Sequence, residues 1–170
     1  MVPFVNKNLM FAIKFFYSVP MFIYMYVIIN MENIFIHTYI GIILNFIGSF
    51  LVAKAKIDLG KYHTWTGHIL SSTRFITDGI YAFIRHPLYT GIYAFIIGSI
   101  VMSINNHPFS FYLIVMIMVF IFSIMSFLVI AALRESDFLH EKFGEDFVEY
   151  KKQVHAFLPI RRYSVDEESC

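Results

Sequence analysis

The stretch ITDGIYAFIRHPLYTG, residues 76–91, decides the fold because it marks where a long apolar segment begins. Charged and aromatic residues crowd together just before that segment. Pro87 fixes its own φ and lacks an N–H, so it suits the first turn of a helix. A proline also pushes the preceding residue out of the helical region. We therefore predict that His86 is extended and that a helix begins at Pro87.

The composition indicates a membrane protein. Of the 170 residues, 58% are hydrophobic and 15% are charged, whereas a soluble domain is about half apolar and a quarter charged. The apolar residues occur in long blocks, as membrane helices require. The formal net charge of +1 and the absence of a basic run give no reason to expect a nucleic-acid partner. A single cysteine, Cys170, excludes an internal disulfide.

We predict an all-α integral membrane protein that forms one domain over residues 1–170. Its apolar blocks predict four transmembrane helices, at about 9–29, 34–53, 87–104 and 108–133. The first block has Lys14 inside it and no small-residue cleavage site, so we interpret it as a retained helix. A C-terminal amphipathic helix should follow the fourth span, with an interruption at Gly144 and an end at Pro159. Its apolar face comprises Leu139, Phe143, Phe147, Tyr150 and Val154.

Small and polar residues predict how the spans pack. Stripes of such residues let membrane helices approach closely. The stripe on the second span consists of Gly41, Asn45 and Ser49, and the stripe on the third span consists of Gly91, Ala94 and Gly98. A ligand role for Asn45 stays open beside this packing role.

Lysine and arginine counts predict the orientation, since cytoplasmic loops are rich in both. The segment between the second and third spans has five, the C-terminal segment has six, and the turns after spans one and three have none. Four spans place every basic segment on one side. Both termini are therefore predicted to be cytoplasmic.

The candidate functional residues lie in two predicted cytoplasmic segments, at about residues 70–91 and 134–159, which contain most of the polar side chains outside the spans. The short turn between spans three and four should bring their membrane-facing ends together. A water-soluble cofactor fits such a site, with a lipophilic molecule arriving from between the helices. His63 and His68 have no nearby cysteine or paired carboxylate, so we expect no metal site.

Both segments resemble motifs of the isoprenylcysteine carboxyl methyltransferase family and its phospholipid methyltransferase relatives. The first matches Gly-x-Tyr…Arg-His-Pro-x-Tyr-x-Gly. The second resembles Arg-x-x-Glu-Glu-x-x-Leu-x-x-x-Phe-Gly-x-x-Tyr-x-x-Tyr, followed by Arg-Val and a proline. Together they cover about half of the chain. The chain departs from the family motifs at four positions. Ile80 stands where proline is usual, Ser136 replaces the second glutamate, Phe147 the first tyrosine and Gln153 the arginine.

The resemblance implies an S-adenosylmethionine-dependent methyltransferase. Glu135 would pair with the cofactor's amino group, His86 would take its carboxylate or ribose, and the Tyr89 ring would lie against the adenine or sulfonium. Arg85 and Glu135 are the implied catalytic residues. The cofactor-binding set is Ile76, Thr77, Gly79, Tyr81, His86, Pro87, Tyr89 and Glu135.

Alternatives stay open at two residues and for the acceptor. Arg85 also suits a positive anchor at the membrane surface, and Glu135 also suits an exposed acid on an amphipathic helix. We expect a lipophilic or lipidated acceptor, first a prenylcysteine-like carboxylate, with a phospholipid amine or another amine or thiol as alternatives. A non-catalytic membrane subunit is the alternative from another class. The sequence leaves the oligomeric state and the kind of membrane open.

Overall fold

The described part of the chain is almost entirely helical. The computed structural model describes residues 2–3, 22, 24–26, 28–30, 34–60, 68–69, 75–104 and 111–160. Its helices are α1 (Ile36–Leu59), a 3₁₀ helix (Gly79–Ala82), α2 (Pro87–Ser103), α3 (Phe111–Phe143) and α4 (Glu145–Gln153). One short antiparallel pair, β1 (Val2–Pro3) with β2 (His68–Ile69), was not predicted. The all-α prediction is otherwise confirmed over the described residues.

Two described helices, α1 and α3, are long and apolar enough to cross a membrane, whereas α2 is shorter. Large apolar side chains on their outer faces are mostly exposed, including Phe46 and Phe50 on α1 and Phe122 on α3. Lipid would cover such faces in a bilayer. Of the predicted first span, residues 22, 24–26, 28 and 29 are helical, and the remainder lies outside the described residues. The count of four spans stays a prediction.

Helix α1 ends six residues later than the second span was predicted to end. It runs to Leu59 because Lys54 and Asp58, four residues apart, form an ion pair along one helix face. The polar segment that we expected to begin at Lys54 therefore begins as a helix. The last turn of α1 lies beside the 3₁₀ helix.

The predicted interruption of the C-terminal amphipathic helix at Gly144 is confirmed, whereas its predicted end at Pro159 is wrong. As predicted, α3 continues through Glu135 without a break, but it ends at Phe143. Gly144 has φ +54, a left-handed conformation that glycine adopts readily, and α4 begins after it. Helix α4 ends at Gln153 rather than near Pro159. The chain after Val154 instead makes hydrogen bonds to the start of α2, described below.

Helices α1 and α2 pack with their backbones in close contact. A Cβ added at Gly48 would lie 2.6 Å from the carbonyl oxygen of Gly91, and one added at Gly41 would overlap Gly98 and Met102. The stripe on α1 is thus Gly41, Asn45 and Gly48. The predicted member Ser49 is exposed, because a spacing of four and three stays on one face of a 3.6-residue helix better than two spacings of four.

Helices α2 and α3 form the buried core, which comprises Tyr89, Ile96, Ile124, Leu128 and Ala132. The Tyr93 hydroxyl donates a hydrogen bond to the Met125 carbonyl oxygen at 2.9 Å. Nearer the start of α2, His86 contacts Ser136. Later residues of α2 thus meet earlier residues of α3, and the two helices are antiparallel, as predicted.

Candidate active site

The 3₁₀ helix is held by the end of α1. The Asp58 carboxylate accepts a hydrogen bond from the backbone N–H of Ile80 at 2.8 Å. Gly79 has φ +61, and a Cβ there would overlap the same carboxylate. The positive φ favours glycine at this position, and a larger residue would also displace the Asp58 carboxylate. The arrangement places Tyr81 between α1 and the start of α2.

His86 joins the start of α2 to the last third of α3. Pro87 begins α2, as predicted, whereas the His86 backbone (φ −123, ψ 60) is neither helical nor extended as predicted. Its side chain is 6% exposed. The Nε2 atom lies 3.2 Å from the Ser136 hydroxyl oxygen, and Nδ1 lies 3.5 Å from Oε2 of Glu135. The structure therefore brings together the two segments that carry the motifs.

The segment after α4 is hydrogen-bonded to the start of α2. The backbone N–H groups of Arg85 and His86 donate to the carbonyl oxygens of His155 and Ala156, each at 2.9 Å. The Arg85 Nε–H donates to the Val154 carbonyl oxygen at 2.8 Å. No residue type in the sequence indicates these bonds, because every residue has a backbone carbonyl. They fix the position of Arg85.

Aromatic rings form one wall of the site. Phe75 packs against the rings of Phe143, Phe147 and Tyr150, with centroids 5.2 to 5.9 Å apart. The Tyr150 hydroxyl donates a hydrogen bond to the Tyr81 carbonyl oxygen at 2.6 Å. This bond ties α4 to the 3₁₀ helix.

A narrow cavity of about 50 Å³ lies between these elements. Its lining is mainly apolar and aromatic, with Arg85 and His86 as the charged or titratable groups other than tyrosine. The lining residues are Leu59, Phe75, Ile76, Tyr81, Arg85, His86, Leu139, Phe147 and Tyr150.

The two tyrosines of the cavity stay protonated well above neutral pH. Burial raises the pKa of Tyr81, and the nearby carboxylate of Glu135 raises it further. Burial also raises the pKa of Tyr150, more than the neighbouring Arg85 guanidinium lowers it. Both phenols therefore remain hydrogen-bond donors.

The predicted site residues fall into four groups. Ile76, Tyr81, Arg85 and His86 line the cavity. Pro87 and Tyr89 are buried behind it, and the Tyr89 ring centroid lies 5.7 Å from that of His86. Thr77 and Gly79 are exposed and do not line it, and Glu135 reaches the site through His86.

Some residues of the site were missed. The second motif and the amphipathic face both include Leu139, Phe147 and Tyr150, but neither predicts a role for them at the site, and all three line the cavity. Ser136 was noted only as a departure from the family motif. Leu59 and Phe75 had no motif to indicate them. Among the described residues, no group of three His, Cys, Asp or Glu side chains could hold a metal ion.

The chain belongs to the phospholipid methyltransferase family, whose model matches residues 36–146, about two thirds of the chain. This match covers α1 to the first residues of α4 and confirms the resemblance inferred from the two motifs.

Individual relatives include enzymes that methylate oxygen and sulfur. The chain is 29% identical over 125 residues to a probable protein-S-isoprenylcysteine O-methyltransferase of Oryza sativa subsp. indica (72% of this chain, 61% of the relative). It is 28% identical over 119 residues to the protein-S-isoprenylcysteine O-methyltransferase of Schizosaccharomyces pombe (67% and 46%). Methanethiol S-methyltransferase 1 of Bradyrhizobium diazoefficiens is 28% identical over 129 residues (74% and 41%). The chain thus spans about three fifths or less of the length of these relatives. No solved structure gives a significant match.

Proposed function

We propose that this protein is an S-adenosylmethionine-dependent methyltransferase of the membrane, acting on a lipophilic acceptor. The observation that carries the proposal is the contact of His86 with Glu135 and Ser136. It joins, across α2 and α3, the two segments that match the family. Because this junction lies at the end of apolar helices, a polar methyl donor and a lipophilic acceptor could both reach it.

Glu135 is the residue that we propose for the cofactor's amino group. Its side chain is 41% exposed, so the carboxylate reaches both solvent and His86. Both ring nitrogens of His86 lie near residues of α3, so we assign His86 the task of orienting Glu135. The aromatic wall suits the adenine and the positively charged sulfonium. When bound, the cofactor would supply the methyl group of its sulfonium: the acceptor's nucleophilic atom would bond to the methyl carbon in line as the carbon–sulfur bond breaks, and the thioether S-adenosylhomocysteine would leave.

The size of the cavity sets a condition on binding. Small-molecule sites usually measure several hundred Å³, whereas this cavity measures about 50 Å³. The residue types fit the cofactor, but its walls must separate to admit it. The Tyr150–Tyr81 hydrogen bond joins two of those walls.

The proposed acceptor is a prenylcysteine-like carboxylate, with Arg85 orienting its charge. A guanidinium pairs with a carboxylate through two hydrogen bonds. The isoprenylcysteine relatives support this choice, while the methanethiol relative and the phospholipid family model make a thiol and a lipid amine the alternatives. The products separate them: a methyl ester is labile to base, whereas a methylamine or a methyl thioether is not.

The same proposal includes one membrane domain over residues 1–170, with four spans and both termini cytoplasmic. Two contacts support it. Val2 pairs with Ile69, and the segment after α4 bonds to Arg85 and His86, so both ends of the described chain lie beside the polar segment before α2. Cys170, the only cysteine, should react with an impermeant maleimide in inverted vesicles. Labelling in right-side-out vesicles instead would contradict this orientation.

Calorimetry with S-adenosylmethionine on the full chain in detergent tests the cofactor assignment. We expect Glu135→Ala and His86→Ala to weaken binding about tenfold or more, since each removes a group from the polar junction. Glu141→Ala, an exposed acid farther along α3, is the matched control. Equal binding by all four proteins would remove the assignment. Absence of binding together with a fixed co-purifying partner would instead indicate a non-catalytic membrane subunit.

A further inference from the structure

A second, larger pocket lies on the other side of Arg85. It has a volume of about 290 Å³ and is open to solvent. Four of its six lining residues are of basic type. The lining comprises Arg85, Val148, Lys151, Lys152, Val154 and His155. Because Arg85 lines both cavities, this outer pocket adjoins the candidate active site but is separate from it.

The backbone around the outer pocket is held in place. The Arg85 Nε–H is bonded to the Val154 carbonyl oxygen at 2.8 Å, and the Arg85 N–H to the His155 carbonyl oxygen at 2.9 Å. Val154 itself is buried and its N–H donates to the Tyr150 carbonyl oxygen. The guanidinium therefore has a fixed place beside the last turn of α4. A charge that is already positioned loses little entropy on binding a ligand.

The positive charge of the pocket is only partly neutralised. Lys152 lies 3.5 Å from Glu149, but the side chains are 70% and 56% exposed, and such exposed pairs are weak. The Gln153 hydrogen bond and Lys152 lower the pKa of Glu149, so that carboxylate is ionised at neutral pH. Lys151 has no ion-pair partner within the described ranges. The carboxylate of Glu149 thus offsets the charge of Lys152 only weakly, and Lys151 adds a second positive charge.

We propose that the outer pocket binds a phosphate group. Arginine matches phosphate oxygens through paired hydrogen bonds, and lysine adds a mobile point charge. The phosphate belongs either to a lipid headgroup, which the neighbouring apolar helices would present, or to free phosphate in the aqueous phase. This phosphate site goes beyond methyl transfer: it shares Arg85 with the candidate active site, whereas Lys151, Lys152 and His155 line the outer pocket alone.

Calorimetry on the full chain in an uncharged detergent distinguishes the two sources. The probes are dihexanoyl phosphatidic acid, dihexanoylglycerol and inorganic phosphate. Binding of phosphatidic acid alone identifies a lipid headgroup, and binding of inorganic phosphate identifies the free ion. In either case the double variant Lys151→Ala/Lys152→Ala should weaken binding about tenfold or more, and added salt should weaken it further.

Lys142→Ala is the matched control, because Lys142 is a lysine near the end of α3 that does not line the pocket. It should change the affinity less than about twofold. If the double alanine variant does not fold, Lys151→Gln/Lys152→Gln keeps the side-chain length and removes the charge. The inference is overturned if neither phosphate probe binds, if dihexanoylglycerol binds as well as phosphatidic acid, or if Lys142→Ala weakens binding equally. These outcomes concern phosphate binding alone. The proposed cofactor site is tested by a separate binding measurement with S-adenosylmethionine.

Discussion

The Nε2 atom of His86 lies 3.2 Å from the Ser136 hydroxyl oxygen, although the two residues are 50 positions apart. The next ring nitrogen, Nδ1, lies 3.5 Å from the carboxylate of Glu135. Consecutive residues of α3 thus engage both nitrogens of one imidazole. Since His86 directly precedes α2, this contact holds α2 against α3 at the polar end of their apolar segments.

Ser136→Ala removes one of these two partners. Leaving a buried imidazole nitrogen without a partner costs about 1–3 kcal/mol. We expect the free energy of unfolding in detergent to fall by that amount and the affinity for S-adenosylmethionine to fall with it. Denaturant titration and calorimetry measure the two effects.

Two further substitutions test the role of the Ser136 hydroxyl. Ser136→Thr keeps the hydroxyl and should retain most of the stability. Ser123→Ala removes a hydroxyl that donates to the Val119 carbonyl oxygen on an exposed part of α3, and it should change little. An equal loss from Ser123→Ala and Ser136→Ala would show that the His86 contact contributes nothing.

Tyr150→Phe removes the hydrogen bond to the Tyr81 carbonyl oxygen and keeps the ring against Phe75. We expect a loss of about 1 kcal/mol in the free energy of unfolding. Tyr112→Phe is the control, because Tyr112 is 80% exposed. Faster hydrogen exchange at the 3₁₀ helix in Tyr150→Phe alone would locate the effect, and equal exchange in both variants would refute it.

Alkaline pH should destabilise the fold. The pKa values of Tyr81 and Tyr150 are raised above the ordinary value of 10.0. Above pH 10 the unfolded chain releases these protons while the folded chain keeps them, so the free energy of unfolding falls as pH rises. Below pH 10 both states are protonated and the two tyrosines add no pH dependence. Tyr150→Phe should make the decline above pH 10 shallower, and an unchanged slope would contradict this.

Gly48→Val should separate α1 from α2. The new Cβ would lie 2.6 Å from the Gly91 carbonyl oxygen and 2.7 Å from the Phe95 nitrogen. Both are backbone atoms that cannot rotate away, so we expect a loss of about 1–3 kcal/mol or more. The adjacent Ser49→Val is the control, since Ser49 is exposed. Thermal unfolding of the two variants in the same detergent measures the difference, and similar stabilities would argue against the close packing.

The sequence determined those features that depend on local chemistry. Pro87 set the start of α2 because proline fits a first turn and excludes helix before it. Long apolar blocks indicated helices suited to a membrane, and the two motifs indicated the family that the domain match then showed. The antiparallel arrangement of α2 and α3 followed from the short connection between them.

Only the tertiary structure decided which side chains meet. The close approach of Gly48 on α1 to Gly91 and Phe95 on α2 depends on contacts between distant parts of the chain. The bonds from Arg85 and His86 to residues 154–156 involve backbone carbonyls. Every residue has such a carbonyl, so no residue type could mark these bonds in advance, and only the folded path of the chain selects them.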